Sequence, residues 1–532
     1  MKAKLVEEWL IRAKERGGVD LAVGQWLISQ GHELLWLGHS RTEFGKDIVS
    51  VDPDGKFHAF QVKNEDIDLN ELRKIHAQVN ELVEIPIVHP RVPPGSPHLA
   101  HLVTSGLFNE VAVAQIRASN EGWAANGKPT VEIVDRNSLI PRLVSMSDAF
   151  WPEKPTDIRE FFSFYLAEGK GDFDPKKFSG VLRGLLPLTE EPVSRKVQRL
   201  AAVGLLGHYL LNPFEREGDH WSVFRGWIMI ASHQAWFAER MELSEKQWRE
   251  SFNLSVQAAK ERLNSLSKEC LSDGGFTPRE IEFDDYTRSR NLILGSVLAV
   301  SHLVSETTGP HNSELDQRLR RLRMLIEQNR LFAWGESAVP HILAIQWFWE
   351  NQQPQVSTIS LVEGVISALC ERNHIDSEDI PFPPPRVSAD EVLAELFSSN
   401  KTREENRRSP DSWTLEALIH FITRRNGRPF LSEHWRAISK LDMASFEPSP
   451  KVDGLLWDAP HGHEADRIPE KEQSWSKLRE VAVEDRAGAL PNTLREDPKL
   501  ALMYFLTYPH RISAALVGFL DKHFGNFNNG LH

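Results

Sequence analysis

Signals for β-strands almost vanish after Trp151-Pro152. Before that point, short alternating apolar runs are punctuated by turn residues and separated by helical stretches. After it, helical spacing dominates, as in Leu292, Leu294, Val297, Leu298, Val300 and Leu303. A chain of this kind joins an α/β layer, a mixed sheet flanked by helices, to a large mostly α-helical region. Its 532 residues exceed what one core usually organises. The stiff, extended run Pro381-Phe382-Pro383-Pro384-Pro385 is the best linker candidate. The expected domains are therefore 1–150, 151–380 and 386–532. No fixed-period repeat is evident, so the helical part is expected to be an irregular array.

The spacing predicts helices over Lys4–Arg16, stopped by Gly17-Gly18, and over Asp20–Gln30, with Gly31 beyond its end. A strand follows at Glu33–Leu37. The runs Asp47–Val51 and Lys56–Lys63 flank Asp52-Pro53-Asp54-Gly55, where Asp-Gly is a strong hairpin signal. Then come a helix through Leu69, Leu72, Ile75, Val79 and Leu82, a strand at His98–Thr104, a helix at Asn109–Ser119, a strand at Thr130–Val134 and a helix at Asn137–Val144.

Composition excludes several classes. A hydrophobic share of 41% and a charged share of 26% are ordinary globular values, which rules out a disordered or collagenous chain. Cys270 and Cys370 cannot build a disulfide framework or a four-thiolate zinc site, and fit a reducing compartment. The charged start Met1–Glu8 lacks the apolar run of a signal peptide. The most apolar stretches, Leu200–Phe214 and Asn291–Val304, carry polar residues and are too short to span a bilayer. The expectation is a soluble, cytoplasmic protein with no membrane partner. The net charge is −13, and residues 1–150 alone hold 16 basic against 20 acidic residues, so the bulk basic footprint of a passive nucleic-acid binder is missing. Contact with a polyanion must come from a local patch, or from metal ions held by acidic ligands.

The chemically informative residues are Asp47, Gln61 and Lys63. Asp47 opens one hairpin strand, while Gln61 and Lys63, two apart, share a face at the end of its partner. A hard cation, Mg²⁺ or Mn²⁺ in its place, takes oxygen ligands. The Asp47 carboxylate, the Gln61 amide oxygen and the Val62 carbonyl offer three. Such a metal would polarise a phosphodiester and lower the pKa of a bound water, and Lys63 could hold or deprotonate that water and steady charge on phosphorus. With Gln61 in place of a carboxylate, metal binding without substrate phosphate is expected to be weaker. Lys63 ends an otherwise apolar strand, where an ion without a partner is costly. Lys74 and Gln78 on the next helix lie near the same end.

Gly45-Lys46-Asp47-Ile48-Val49 followed by Phe60-Gln61-Val62-Lys63 resembles the Asp…Gln-x-Lys variant of the PD-(D/E)XK nucleases, typical of Mrr-like restriction endonucleases. Leu102-Val103-Thr104-Ser105-Gly106-Leu107-Phe108 is similar to that family's strand ending in Thr-Ser/Thr-Gly-x-Phe, and Val131–Leu139 to its last strand, Asp turn and Leu-bearing helix. The family places an acidic residue early in a helix that ends Gly-aromatic. Asp20, eleven before Gly31, suits that place, although His32 replaces the aromatic and an Asp there is equally an N-cap. The resemblance covers about residues 15–145. It implies a restriction-endonuclease-like fold and a Mg²⁺-dependent DNA endonuclease leaving 5′-phosphates, with Asp47, Gln61, Lys63 and Asp20 as site residues. It further implies a prokaryotic restriction or anti-phage defence effector gated by its helical region, often acting as a homo-oligomer. No Gly-x-x-x-x-Gly-Lys-Ser/Thr loop is present, so an ATP-driven cycle would need a separate ATPase partner. A catalytically silent DNA-binding module and a scaffold subunit of a larger complex are the alternatives.

Other clusters read more plainly. Asp458, His461, His463, Glu464 and Asp466 crowd one loop and could bind a transition metal, but a polar surface loop is the commoner outcome. Trp221, Trp227, Trp236, Trp347 and Trp349 sit at helical positions and are expected in cores rather than stacked on bases. The runs Arg318–Arg323 and Arg403–Arg408 are expected to be solvated helix faces rather than phosphate contacts.

Overall fold

A computed structural model describes residues 2–37, 44–148, 173–272, 284–305, 313–327, 331–352, 359–373, 381–389, 391–392, 411–467 and 474–525. The chain separates into two compact units, Met1–Arg262 and Leu263–His532. The first begins with α1 (Lys2–Leu10), a kinked turn at Glu15–Val19 and α2 (Asp20–Ser29). Strands β1 (Glu33–Leu37), β2 (Ile48–Val51) and β3 (Phe57–Lys63) follow. Then come α3 (Leu69–Glu84), β4 (His98–Thr104), α4 (Glu110–Ala125), β5 (Val131–Val134) and α5 (Arg136–Asp148). Among the described residues four more helices follow: α6 (Pro175–Leu185), α7 (Val193–Arg216), α8 (His220–Arg240) and α9 (Glu245–Leu271), which runs on past the boundary.

The five strands form one mixed sheet in the order β1-β2-β3-β4-β5. The first two pairings are antiparallel and the last two parallel, because α3 and α4 serve as crossovers. At the β2–β3 hairpin Gly55 takes φ +83 and its N–H donates to the Asp52 carbonyl at 2.9 Å. One face of the sheet buries Val49, Ala59, Ala100, Leu102 and Val131 against Leu72, Ile75, Val79 and Leu82 of α3 and Ala112 and Ile116 of α4. Each of the larger side chains contributes roughly 1.5–3 kcal/mol by leaving water. Strand alternation puts His58 and Phe60 on the opposite face, where Phe60 stacks on His101 with centroids 4.4 Å apart.

The unit boundary lies elsewhere than at residues 150 and 381–385, where composition suggested it. Helices beyond 150 share polar and apolar contacts with the α/β layer. Ser251 donates its hydroxyl to Gln25 Oε1 at 2.7 Å, while Gln25 Nε2 donates to the Ser251 carbonyl at 3.0 Å. Gln234 Nε2 donates both to Ser251 and to the Leu200 carbonyl. Trp9 of α1 packs on His208 and Tyr209 of α7. These buried bonds tie α2, α7, α8 and α9 into one body.

The second unit is helical, with α10 (Asp284–Val304), α11 (Ser313–Glu327), α12 (Val339–Gln352) and α13 (Ser360–Arg372), then α14 (Leu415–Arg424) and α15 (Arg428–Ile438). It ends with α16 (Trp475–Val483), α17 (Asn492–Glu496), α18 (Pro498–Thr507) and α19 (Ala514–Phe524). The unit also holds a small sheet of β6 (Asp411–Ser412), β7 (Asp442–Pro448) and β8 (Gly462–Arg467), so His463, Glu464 and Asp466, expected on a loop, lie on a strand. The proline run is packed rather than free: Glu336 N–H donates to the Pro383 carbonyl at 2.8 Å, and Phe382 is buried. Trp227, Trp236, Trp347 and Trp349 are buried, as core aromatics are. In α11, Arg318 is buried and paired with Glu314, while Arg320 and Arg323 are exposed. Arg403–Arg408 and the tail beyond Gly525 lie outside the described residues. Among the described residues no helix is long and apolar enough to cross a membrane.

Candidate active site

Asp47 is delivered by a loop pressed against α3. Gly45 takes φ +71, and a Cβ there would stand 2.3 Å from the Gln78 carbonyl oxygen, so only glycine lets the loop approach the helix this closely. The next residue, Lys46, is buried and donates to the carbonyls of Phe44 at 3.1 Å and Glu81 at 3.0 Å. Glu81 lies in the last turn of α3, where a cation meets the negative end of the helix. Burial pushes the Lys46 ammonium down to about 8 against the opposing pull of Glu81.

Asp47 then joins the end of β3. Its N–H donates to the Phe60 carbonyl at 2.8 Å. Its Oδ2 accepts from Gln61 Nε2 at 2.6 Å and from Val62 N–H at 2.7 Å. The hairpin thus brings Asp47, Gln61 and Val62 together. With its NH₂ turned to Asp47, Gln61 keeps its Oε1 buried and without a hydrogen-bond partner. Such an atom costs about 1–3 kcal/mol unless something else completes it.

Two residues further, Lys63 is buried and donates to both oxygens of Glu15 at 3.3 Å. Glu15 belongs to the kinked turn, not to the predicted helix Lys4–Arg16. That helix stops at Leu10, and Lys14 is extended (φ −67, ψ 150) before the turn carries Glu15 to β3. Asn64 Nδ2 donates to the Ala13 carbonyl at 3.4 Å and fastens the same segment. Glu65 adds a carboxyl nearby. Its own burial and then the charge of Glu71 raise it, while Lys63 pulls it back. Asp20, also buried, accepts at Oδ1 from the N–H groups of Gly18 at 3.0 Å and Leu21 at 2.7 Å, so it secures the turn that presents Glu15. The side chains of Lys74 and Gln78 are exposed on α3, with Lys74 paired to Glu71.

The flanking motifs brace this end of the sheet. Thr104 Oγ1 donates to the Glu65 carbonyl at 2.6 Å and Ser105 N–H to the Lys63 carbonyl at 3.1 Å. A Cβ on Gly106 would lie 2.2 Å from the Glu65 carbonyl oxygen, which explains the glycine between them. Asp135 accepts from Ser138 N–H at 2.9 Å at the start of α5.

A second polar assembly, which the sequence reading missed, crosses the other face. His58 bridges Asp52 Oδ2 at 3.2 Å and His101 Nε2 at 3.0 Å, and His101 Nδ1 lies 3.2 Å from Glu132. His32 bonds Ser50 at 3.0 Å and sits edge-on to His58. Burial first, and the neighbouring His58 second, push His32 down to about 4 and His101 to about 3. The signal was the alternation of His58 and Phe60 along β3.

Among the described residues no three His, Cys, Asp or Glu side chains gather as a metal site. His461 and His463 are exposed on the β7–β8 hairpin, with His463 paired to Glu447 at 3.1 Å. The Asp47 set is of another kind, one carboxylate with an amide and a backbone carbonyl. The partnerless Gln61 Oε1 is the observation that fits an oxygen-seeking cation there. Comparison with protein-family models, with curated proteins and with solved structures returned no match.

Proposed function

We propose that the first unit is a Mg²⁺-dependent endodeoxyribonuclease with a restriction-endonuclease-like α/β layer, of the Mrr-like PD-(D/E)XK type. The observation that carries this reading is the meeting of Asp47 and Gln61 at 2.6 Å, with a buried Gln61 oxygen left over, on the strand that ends in Lys63. Asp47, Gln61 and the Val62 carbonyl would hold the ion. When bound, Mg²⁺ or Mn²⁺ supplies charge neutralisation of the scissile phosphate and a more acidic water. Lys63 orients the attacking water and stabilises charge growing on phosphorus. Glu15 aims the Lys63 ammonium, and Asp20 holds the turn from which Glu15 reaches it. In this reading the helical remainder gates cleavage in a prokaryotic defence effector, alone, as a homo-oligomer or with an ATPase partner.

The test is cleavage of plasmid DNA with and without Mg²⁺. Asp47→Ala and Lys63→Ala should abolish Mg²⁺-dependent cleavage while circular dichroism stays unchanged. Undiminished cleavage in both variants refutes the assignment. One observation favours a second reading, a silent DNA-binding module: Asp47 Oδ2 already takes two protein donors and Lys63 already has Glu15. Metal-independent DNA binding by the wild type, with no cleavage under any metal, would select it.

A further inference from the structure

Beside the Glu15–Lys63 pair, the first unit holds a cleft of about 610 Å³ walled by α1, the segment after it, α7, the start of α8 and the end of α9 within this unit. Its charged lining is Arg12, Lys14, Arg216 and Arg262 against Glu215 and Glu217. Four cations facing two carboxylates is a local reversal in a chain of net charge −13. Glu215 accounts for part of that positive charge, since Arg262 Nη2 lies 2.8 Å and Lys14 Nζ 4.0 Å from its Oε1. Arg262 is buried, and its Nε has no hydrogen-bond partner. Arg12 and Arg216, both lining the cleft, are exposed, so their guanidinium groups are accessible to an anion.

The cleft and the candidate active site share one short segment. Arg12, Ala13, Lys14 and Gly18 line the cleft, whereas Glu15, between them, turns to Lys63. A group seated in the cleft is therefore adjacent to the segment that positions the Lys63 ammonium. Its volume falls within the usual range of ligand pockets and suits a nucleotide-sized stretch of chain. Guanidinium forks match phosphate oxygens in pairs, which point charges do less well.

We infer that this cleft seats the phosphodiester backbone of the polynucleotide whose scissile bond is presented to Lys63. The inference rests on the hydrolytic reading above and deepens it: helices beyond residue 150 supply the substrate track. The backbone chemistry is common to DNA and RNA.

The experiment measures binding of fluorescein-labelled duplex DNA, its single strand and the matching RNA to the full chain in EDTA, across a salt series. Arg12→Ala/Arg216→Ala should weaken binding by at least about tenfold and reduce the slope of log affinity against log salt by roughly two, one unit per phosphate contact. Arg12→Glu/Arg216→Glu should weaken it further. Both positions are exposed, so melting temperatures should match the wild type. Unchanged affinity and slope in both double variants overturn the cleft even if the wild type cleaves DNA. Wild-type binding that the double variants lose, with no cleavage under any metal, upholds the cleft and defeats the hydrolytic reading. Binding of adenosine monophosphate without binding of any polynucleotide overturns the inference. The preferred strand among the three identifies which backbone is taken.

Discussion

Glu15 and Lys63, forty-eight residues apart, meet at 3.3 Å through both carboxylate oxygens. The pair joins the kinked turn before α2 to the last residue of β3, so the ammonium of the proposed site is held by a segment outside the sheet. Both side chains are mostly buried, at 25% and 9% exposure, so solvent screens the pair only in part.

Glu15→Gln keeps the shape and removes the charge. It should slow Mg²⁺-dependent DNA cleavage by about tenfold or more while destabilising the chain by roughly 1–3 kcal/mol, the usual cost of weakening a hydrogen bond to a charged group. Cleavage kinetics and urea melts check both. A fully active Glu15→Gln variant removes Glu15 from the positioning of Lys63.

Gln61→Glu replaces the amide that donates to Asp47 with a second carboxylate. Two like charges at that distance oppose each other, so without metal at pH 8 the variant should melt lower by about 1–3 kcal/mol equivalent. Millimolar Mg²⁺ should restore it, and should raise the melting temperature more than it does for wild type. Equal Mg²⁺ response in the two proteins would argue against a metal at Gln61.

Gly45→Ala places a Cβ against the α3 backbone at a positive φ. The loop must move off the helix, taking Asp47 with it. Stability should fall by at least about 1 kcal/mol and cleavage should fall with it. The same substitution at Gly55, where a Cβ meets nothing within 4 Å, should spare cleavage.

The histidine assembly predicts acid sensitivity. His32 and His101 are held at about 4 and about 3, below the ordinary value of 6.5. The unfolded chain therefore binds more protons below pH 6.5, so stability contributed by these neutral rings is full above that pH and declines as pH drops. The slope approaches about 1.4 kcal/mol per pH unit for the buried His101, and is shallower for the half-buried His32. Glu250, raised by burial to about 7, slopes the other way: its contribution is full below its ordinary value and is lost as pH rises through 7. Comparing wild type with His101→Phe by urea unfolding from pH 7 to pH 4.5 isolates the His101 part. The variant should lose less stability on acidification, and identical profiles would exclude His101 as the proton-linked group.

Much of the first unit was legible because its signals are local. Asp52-Pro53-Asp54-Gly55 dictated the hairpin, and the period of two placed Gln61 and Lys63 on one face. The apolar spacing of Leu72, Ile75, Val79 and Leu82 marked the buried side of α3. In the second unit the strands at 442–448 and 462–467 escaped notice, since β7 is half-buried along almost its whole length and Gly462–Glu464 of β8 are exposed, so neither shows the alternation that a core-facing strand imposes.

Helix or strand, the turn and the likeness of Asp47, Gln61 and Lys63 to a nuclease motif were thus properties of neighbouring residues, governed by backbone sterics and periodicity. Tertiary structure alone chose Glu15 as the partner of Lys63, whereas Asp20 bonds the N–H groups of its neighbours Gly18 and Leu21 as a helix-start aspartate can. Tertiary structure also drew α7, α8 and α9 into the first unit through Gln25, Ser251 and Gln234. Those outcomes depend on distant groups satisfying buried charges and donors, and that requirement leaves no periodic trace along the chain.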